Sequence, residues 1–267
     1  VHKPPKSSAG ELDDRSHRIR KQNPNEAALA SENQPRNASM DSLRGLAIVL
    51  MVVDHGAGLL LDHSISNSSL RIAMRLSMPL FCLLMGYFLR PNSRFRVRRW
   101  AEIAITAGLV NLVFHPTYGC FEILASLLVA GLLGSFCGVF FPLLVLATLA
   151  YPIDPTDGWP SGGPLDFPLS LVVGFVALGS LHARYGAKPA WIAATAITAF
   201  YPLAASLTPG SVSPLLLLFV LPAALLVSAA QRWPSLAVPG LTWLGQNPLK
   251  AYASQYYLIF AIAYWWN

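Results

Sequence analysis

The chain has 267 residues, of which 54% are hydrophobic and 12% charged, with a mean hydropathy of +0.48. Soluble domains carry about 25% charged residues, so this composition argues against one and points to a polytopic helical membrane protein. The formal net charge of +6 is not a nucleic-acid footprint: the basic residues beyond Ser39 sit mostly at the ends of apolar segments, as membrane topology places them.

Residues 1–39 read as a separate region, a disordered basic and polar tail ahead of a helical membrane domain at 40–267. Residues 1–38 hold seven Lys/Arg and five Asp/Glu among many Ser, Asn and Pro, with no apolar period. The tail lacks an apolar core, so it is not expected to be a signal peptide. Two readings stand side by side: a start assigned too early, with Met40 the first true residue, and a genuine unstructured cytoplasmic extension.

The first apolar segment, 42–62, reads SLRGLAIVLMVVDHGAGLLLD and places Asp54 and His55 inside an apolar helix. An acid at that depth costs about 2 to 3 kcal/mol, which polar partners or chemistry must offset. Eight more segments follow at about 70–90, 99–115, 120–136, 139–152, 166–184, 189–207, 212–230 and 248–266. Nine spans are expected, within a range of eight to ten. The fourth and fifth are the weakest, since only the short GSFCG run separates them and the fifth is shorter than a spanning α-helix. Pro79, Pro142, Pro202 and Pro222 fall inside segments and are expected to kink them.

The basic residues set the orientation. Arg90, Arg94, Arg96, Arg98 and Arg99 follow the second segment, and Arg184, Lys188, Arg232 and Lys250 mark later turns on the same side. The opposite turns carry no Lys or Arg. By the positive-inside rule the amino terminus is cytoplasmic and, after nine spans, the carboxyl terminus is outside. Tyr264, Trp265 and Trp266 suit an interfacial belt.

Helical rise puts His55 about 16 Å from Arg44, just past mid-membrane. Arg71 and Arg75 are four apart on one face of the second segment. With His115 and Glu122 they are expected to gather around Asp54 and His55 as a polar cluster. Plainer readings stand beside this one. Asp54 with Arg75 makes a structural ion pair, His55 hydrogen-bonds a neighbour, Glu102 pairs with Arg98, and His182 with Arg184 and Lys188 marks a solvated loop. His63 falls in a loop. The arginine-rich turn is a topology signal or a collector of an anionic ligand. Cys82, Cys120 and Cys137 lack metal or redox spacing and are expected to pack. No Gly-rich phosphate loop, HExxH or GxSxG occurs; GSFCG at 134–138 has Phe where the nucleophile would stand.

LRGLAIVLMVVDHGAGLL followed by LRIAMRLSMPLFCLLMGYFLRPNSRFRVRRW resembles the TraX family of membrane proteins, associated with acetylation of pilin amino termini. The shared features are Met51–Asp54–His55, Arg71 with Arg75, Pro79–Leu80–Phe81 and Gly86–Tyr87. MDSLRGLAI and the closing LTWLGQNPLKAYASQ are similar to the wider set of multi-pass acyltransferases that includes the heparan glucosaminide acetyltransferase type. Where that set often places a second His, this chain has Gln255. The resemblance implies a membrane acyltransferase moving an acetyl or short acyl group from acetyl-CoA, or another acyl-CoA, to an amine or hydroxyl acceptor (pilin amine, glycan or lipid). On that reading His55 is the catalytic base or transient acyl carrier, and Asp54 supports it electrostatically through Arg75. Arg71 or Arg75 stabilises the oxyanion or holds the donor, and Arg94, Arg96, Arg98 and Arg99 collect the anionic donor. No metal is implied, and the lipid bilayer is the expected partner. Two other classes remain open: a proton-coupled transporter or flippase using Asp54, His55 and Arg75, and a non-catalytic membrane assembly protein.

Overall fold

The computed structural model describes residues 37–60, 69–89, 97–157 and 162–266. Among them every regular element is a helix. In chain order these are α1 (Ala38–Leu60), α2 (Ser69–Met74), α3 (Ser77–Phe88), α4 (Val97–Tyr118) and α5 (Ile123–Cys137). A 3₁₀ helix, η1 (Gly138–Ile153), leads to α6 (Leu169–Tyr185), α7 (Ala187–Ala199) and α8 (Tyr201–Leu207). The chain closes with α9 (Leu215–Leu218), α10 (Val220–Arg232), α11 (Pro239–Gln246) and α12 (Pro248–Trp266).

Three stretches are long and apolar enough to cross a membrane by length and composition: Ile123–Ile153, Ala187–Leu207 and Leu215–Arg232. The first does not run straight. Gly138 adopts φ 52°, a left-handed conformation that glycine alone takes without strain, and the chain folds back there. The Gly138 carbonyl accepts from Arg184 Nη1 (2.7 Å), at the end of α6. At the far end of η1, Asp154 Oδ2 accepts from Ser170 N (2.8 Å), at the start of α6. η1 therefore runs antiparallel to α6. Its 3₁₀ winding, at about 2.0 Å per residue, stretches its 16 residues to roughly 32 Å. An α-helix of that length would reach only roughly 24 Å, so η1 reaches further than its residue count suggests.

Contacts fix the other directions. His55 of α1 meets Tyr256 of α12, Leu83 and Tyr87 of α3 meet Gly179 and His182 of α6, and Asn111 of α4 meets Glu122 ahead of α5. Trp191 with Ser228, and Thr198 with Leu217, pair α7 against α9–α10 as antiparallel neighbours. One end of the bundle thus gathers Arg44, Arg99, Arg184 and Pro234; the other gathers Arg75, Glu122, Asp154 and Ser213.

Three of the internal prolines do interrupt their segments, each just after a break between two helices. Pro79 is the third residue of α3, Pro202 the second of α8 and Pro222 the third of α10. In a first turn the missing N–H is not needed. Each therefore starts a new helix after a break, at 75–76, 200 and 219, and Pro142 sits in the first turns of η1. The apolar pattern continues across these breaks, so each looked like a single segment.

Glycines set the closest contacts. A Cβ on Gly86 would strike the Val176 carbonyl, and one on Gly179 the Leu83 carbonyl, so α3 and α6 meet backbone to backbone. Gly45 and Gly245 do the same for α1 against α11, a helix that hydropathy did not reveal. Small residues that let backbones approach are the usual packing device inside membranes. The outer surface is correspondingly apolar: Leu112, Phe136, Phe140, Ile153 and Ile192 are all largely exposed.

Candidate functional site

Asp54 and His55 are neighbours on α1, so their side chains point about 100° apart and serve different partners. Asp54 is buried and faces Arg75 at the α2–α3 break, with Arg75 Nε 3.9 Å from Asp54 Oδ2. That is an ion pair without a direct hydrogen bond. The half-buried His55 turns instead toward α12. Its Nε2 lies 3.3 Å from the Tyr256 hydroxyl, and the two rings sit 4.8 Å apart.

Tyr256 continues to a third helix. Its hydroxyl donates to Glu122 Oε1 (3.2 Å). Glu122 is completely buried in the turn that precedes α5, where its Oε2 caps the helix by accepting from Leu124 N (2.8 Å). Its own amide donates to Asn111 Oδ1 (2.9 Å) on α4. Phe114, Tyr252 and Phe260 surround the Tyr256 ring at 5.4 to 6.5 Å. A continuous polar line, His55–Tyr256–Glu122, thus crosses three elements inside an aromatic collar.

Beyond it, the turn between η1 and α6 closes this end of the bundle. Asp166 N donates to the Phe121 carbonyl (2.8 Å), which sets Asp166 within electrostatic reach of Arg75, Asp157 and Asp54. A cavity of about 80 Å³ opens between Arg75, Asp166, Phe167 and Ser213, and Ser213 Oγ donates to Asp157 Oδ2 (3.1 Å). Asp154 holds the turn. Burial pushes its carboxyl up, but hydrogen bonds from Ser170 and Thr156 outweigh that and keep it below the ordinary range.

A larger cavity, about 190 Å³, lies at the opposite end between α1, α3, α4, α5 and α12. Its walls are apolar (Phe81, Leu84, Met85, Leu124, Leu127), and Arg44, Arg99 and Trp100 also line it. Arg44 is held by Asp41 Oδ1 (3.0 Å), the Gly245 carbonyl (2.7 Å) and the face of Phe88 (4.5 Å). The cavity shares walls with the polar line without lining it: Leu124 N donates to Glu122, and the Phe81 ring lies 6.0 Å from the Tyr252 ring.

Of the residues singled out from sequence, Asp54, Arg75, His55 and Glu122 converge as described. Arg94, Arg96, His63 and the Arg71 side chain lie outside the described residues. Arg98 and Arg99 are exposed and both pair with Glu102, at 3.1 and 3.4 Å, and Arg99 also borders the larger cavity. His115 does not join the cluster; it is exposed on the last turn of α4, its ring 4.8 Å from Phe121. His182 is not in a solvated loop either. It is buried on α6, with Nε2 2.8 Å from Ser228 Oγ. Tyr256 and Arg44 went unrecognised, the first because an isolated Tyr in an apolar helix reads as packing, the second because an arginine at a span end reads as topology. Cys82, Cys120 and Cys137 are free, the first two buried. No group of three His, Cys, Asp or Glu among the described residues could hold a metal ion.

Residues 36–161 match the family model described as heparan-alpha-glucosaminide N-acetyltransferase, catalytic. The match is to that stretch alone, a little under half of the chain, and is a likeness to an acetyltransferase catalytic domain. It takes in α1 through η1, hence Asp54, His55, Arg75, Glu122, Arg44 and Arg99, whereas Tyr256 lies beyond it. The match does not bear on the TraX likeness specifically. No curated protein and no solved structure matches the chain.

Proposed function

We propose that this protein is an integral membrane acyltransferase that moves an acetyl or short acyl group from coenzyme A to an amine or hydroxyl acceptor, with His55 as the general base. The observation that carries the reading is the position of His55, on an otherwise apolar helix within the family match, with a cavity of the right chemistry beside the same bundle. The donor set of that cavity fits an acyl-CoA. Two guanidinium groups suit phosphates, and Phe and Leu walls suit the slender thioester arm. At about 190 Å³ it is smaller than the roughly 300–1,000 Å³ of sites that enclose whole ligands. It would therefore take the arm and leave the nucleotide at the Arg44 and Arg99 mouth.

The thioester supplies an activated acyl carbon. His55 takes the acceptor's proton as the acceptor's lone pair bonds that carbon, and returns it to the thiolate released when the C–S bond breaks. An imidazole that titrates near neutral pH suits both transfers. Asp54 and Arg75 would stabilise charge at the same depth. The alternating helix directions and the basic residues at the Arg44 end support nine crossings, with the Arg44 end and the amino terminus cytoplasmic. The acyl acceptor, whether pilin amine, glycan or lipid, is left to experiment. Purified protein in nanodiscs, given labelled acetyl-CoA and a panel of primary amines, sugars and lipids, is expected to label at least one class. Labelled acetyl groups recovered only as acetyl-CoA or free acetate across the whole panel would overturn the reading.

A further inference from the structure

Asp54, the acid next to His55 in sequence, pairs with Arg75. Glu122 has the opposite surroundings. It is completely buried, and its carboxylate is met by the Leu124 and Ile123 N–H groups and the Tyr256 O–H, all neutral donors. A buried carboxylate with no cation is strongly penalised unless a compensating charge is at hand. The cation that could serve is the imidazolium of His55, reached through one tyrosine hydroxyl.

Proton accounting along the line sharpens this. Tyr256 has a single O–H. When it donates to Glu122 Oε1, its oxygen can only accept at the His55 end, so the ring must carry its hydrogen on Nε2. The basic lone pair is then on Nδ1. When Nδ1 takes a proton, the imidazolium already holds its Nε2–H against Tyr256, whose O–H faces the carboxylate. The three groups reproduce the acid–histidine relation of hydrolytic triads, with a tyrosine inserted between acid and ring. The aromatic collar of Phe114, Tyr252 and Phe260 keeps that tyrosine in place.

We propose that Glu122, acting through Tyr256, is the positioning residue that fixes His55 as the Nε2–H tautomer and balances the imidazolium formed at Nδ1. The inference rests on the acyltransferase reading for its effect on rate, but its structural half can be tested without turnover. The test uses full-length protein labelled with ¹⁵N-histidine in nanodiscs, the His55 signals assigned by their loss in His55→Ala. Wild type should show a pyridine-like Nδ1 and a pyrrole-like Nε2. Glu122→Gln keeps the acceptor for Leu124 but removes the charge, and Tyr256→Phe removes the relay while keeping the ring. Both should lose the tautomer preference. Both should also lower kcat by about 10- to 100-fold, a share of the 10²- to 10⁴-fold that general base catalysis supplies, with the donor KM unchanged. Glu122→Asp should recover part of the loss. A pyridine-like Nε2 in wild type overturns the proposal whether or not the variants fold. So do variants that keep both the wild-type tautomer and the wild-type kcat. Absence of transfer by wild type contradicts the acyltransferase reading instead, and the ring spectrum still decides this one.

Discussion

Among the described residues two histidines turn into the bundle, His55 and His182, and they differ in what their hydrogen bonds lead to. His182, on α6, is bonded to Ser228, which accepts from Trp191 Nε1 (2.8 Å) and donates to the Ala224 carbonyl (2.8 Å). The serine hydrogen is spent on a backbone carbonyl, so His182 Nε2 must donate, and its Nδ1 is left buried without a hydrogen-bond partner. No carboxylate takes part. His55 instead belongs to a line that ends in a buried acid and lies beside an acidic, arginine-bearing turn. A buried histidine bonded only to neutral groups is packing with a hydrogen bond; one linked to a charge has somewhere to put a proton.

If the α6 side is packing, volume should break it; if the α1 side is chemistry, charge should. The largest effect is expected from Gly179→Val, whose side chain would meet the Leu83 carbonyl. Overpacking of this kind costs about 1–3 kcal/mol or more, read as a lower midpoint of thermal unfolding in detergent. On the other side, Arg44→Ala removes a guanidinium at the mouth of the larger cavity. A hydrogen bond to a charged group is worth about 1.5–3 kcal/mol, so the donor KM should rise roughly 10- to 100-fold. Arg98→Ala, with its side chain 93% exposed, should leave KM unchanged. Ser228→Ala deprives His182 and Trp191 of a shared partner. It should lower stability by about 1 kcal/mol and leave transfer kcat at the wild-type value.

The smallest effect concerns the turn that closes the Arg75 end. Asp154 titrates below its unfolded value, so it contributes stability above about pH 4 that is lost as pH falls through its depressed folded pKa. The Asp154→Asn variant should therefore differ most from wild type at neutral pH and converge with it in acid. Unfolding followed across that range checks the sign.

Much of this was legible in the sequence, and the reasons for the rest are physical. Composition and the arginine pattern identify a helical membrane protein, and the depth of Asp54 against Arg75 anticipates their ion pair. Glu122 is placed correctly near His55 because a short turn can put it nowhere else. Tyr256 is 201 residues from His55, and nothing local marks it as a partner. The 3₁₀ winding of η1 escapes because the apolar run 139–152 carries no period that separates a tight helix from an ordinary one. His182 was misplaced for a related reason. It lies near Arg184 and Lys188 in sequence, but on the last turn of its helix it still faces the core.

On the reading proposed above, His55 and not His182 performs the chemistry. One assay separates them: acetyl transfer from labelled acetyl-CoA by purified wild type, His55→Ala and His182→Ala, each at matched helicity and elution volume. Loss of about 10²-fold or more in His55→Ala, with His182→Ala unchanged in kcat, is the predicted result. Equal rates in wild type and His55→Ala would contradict it.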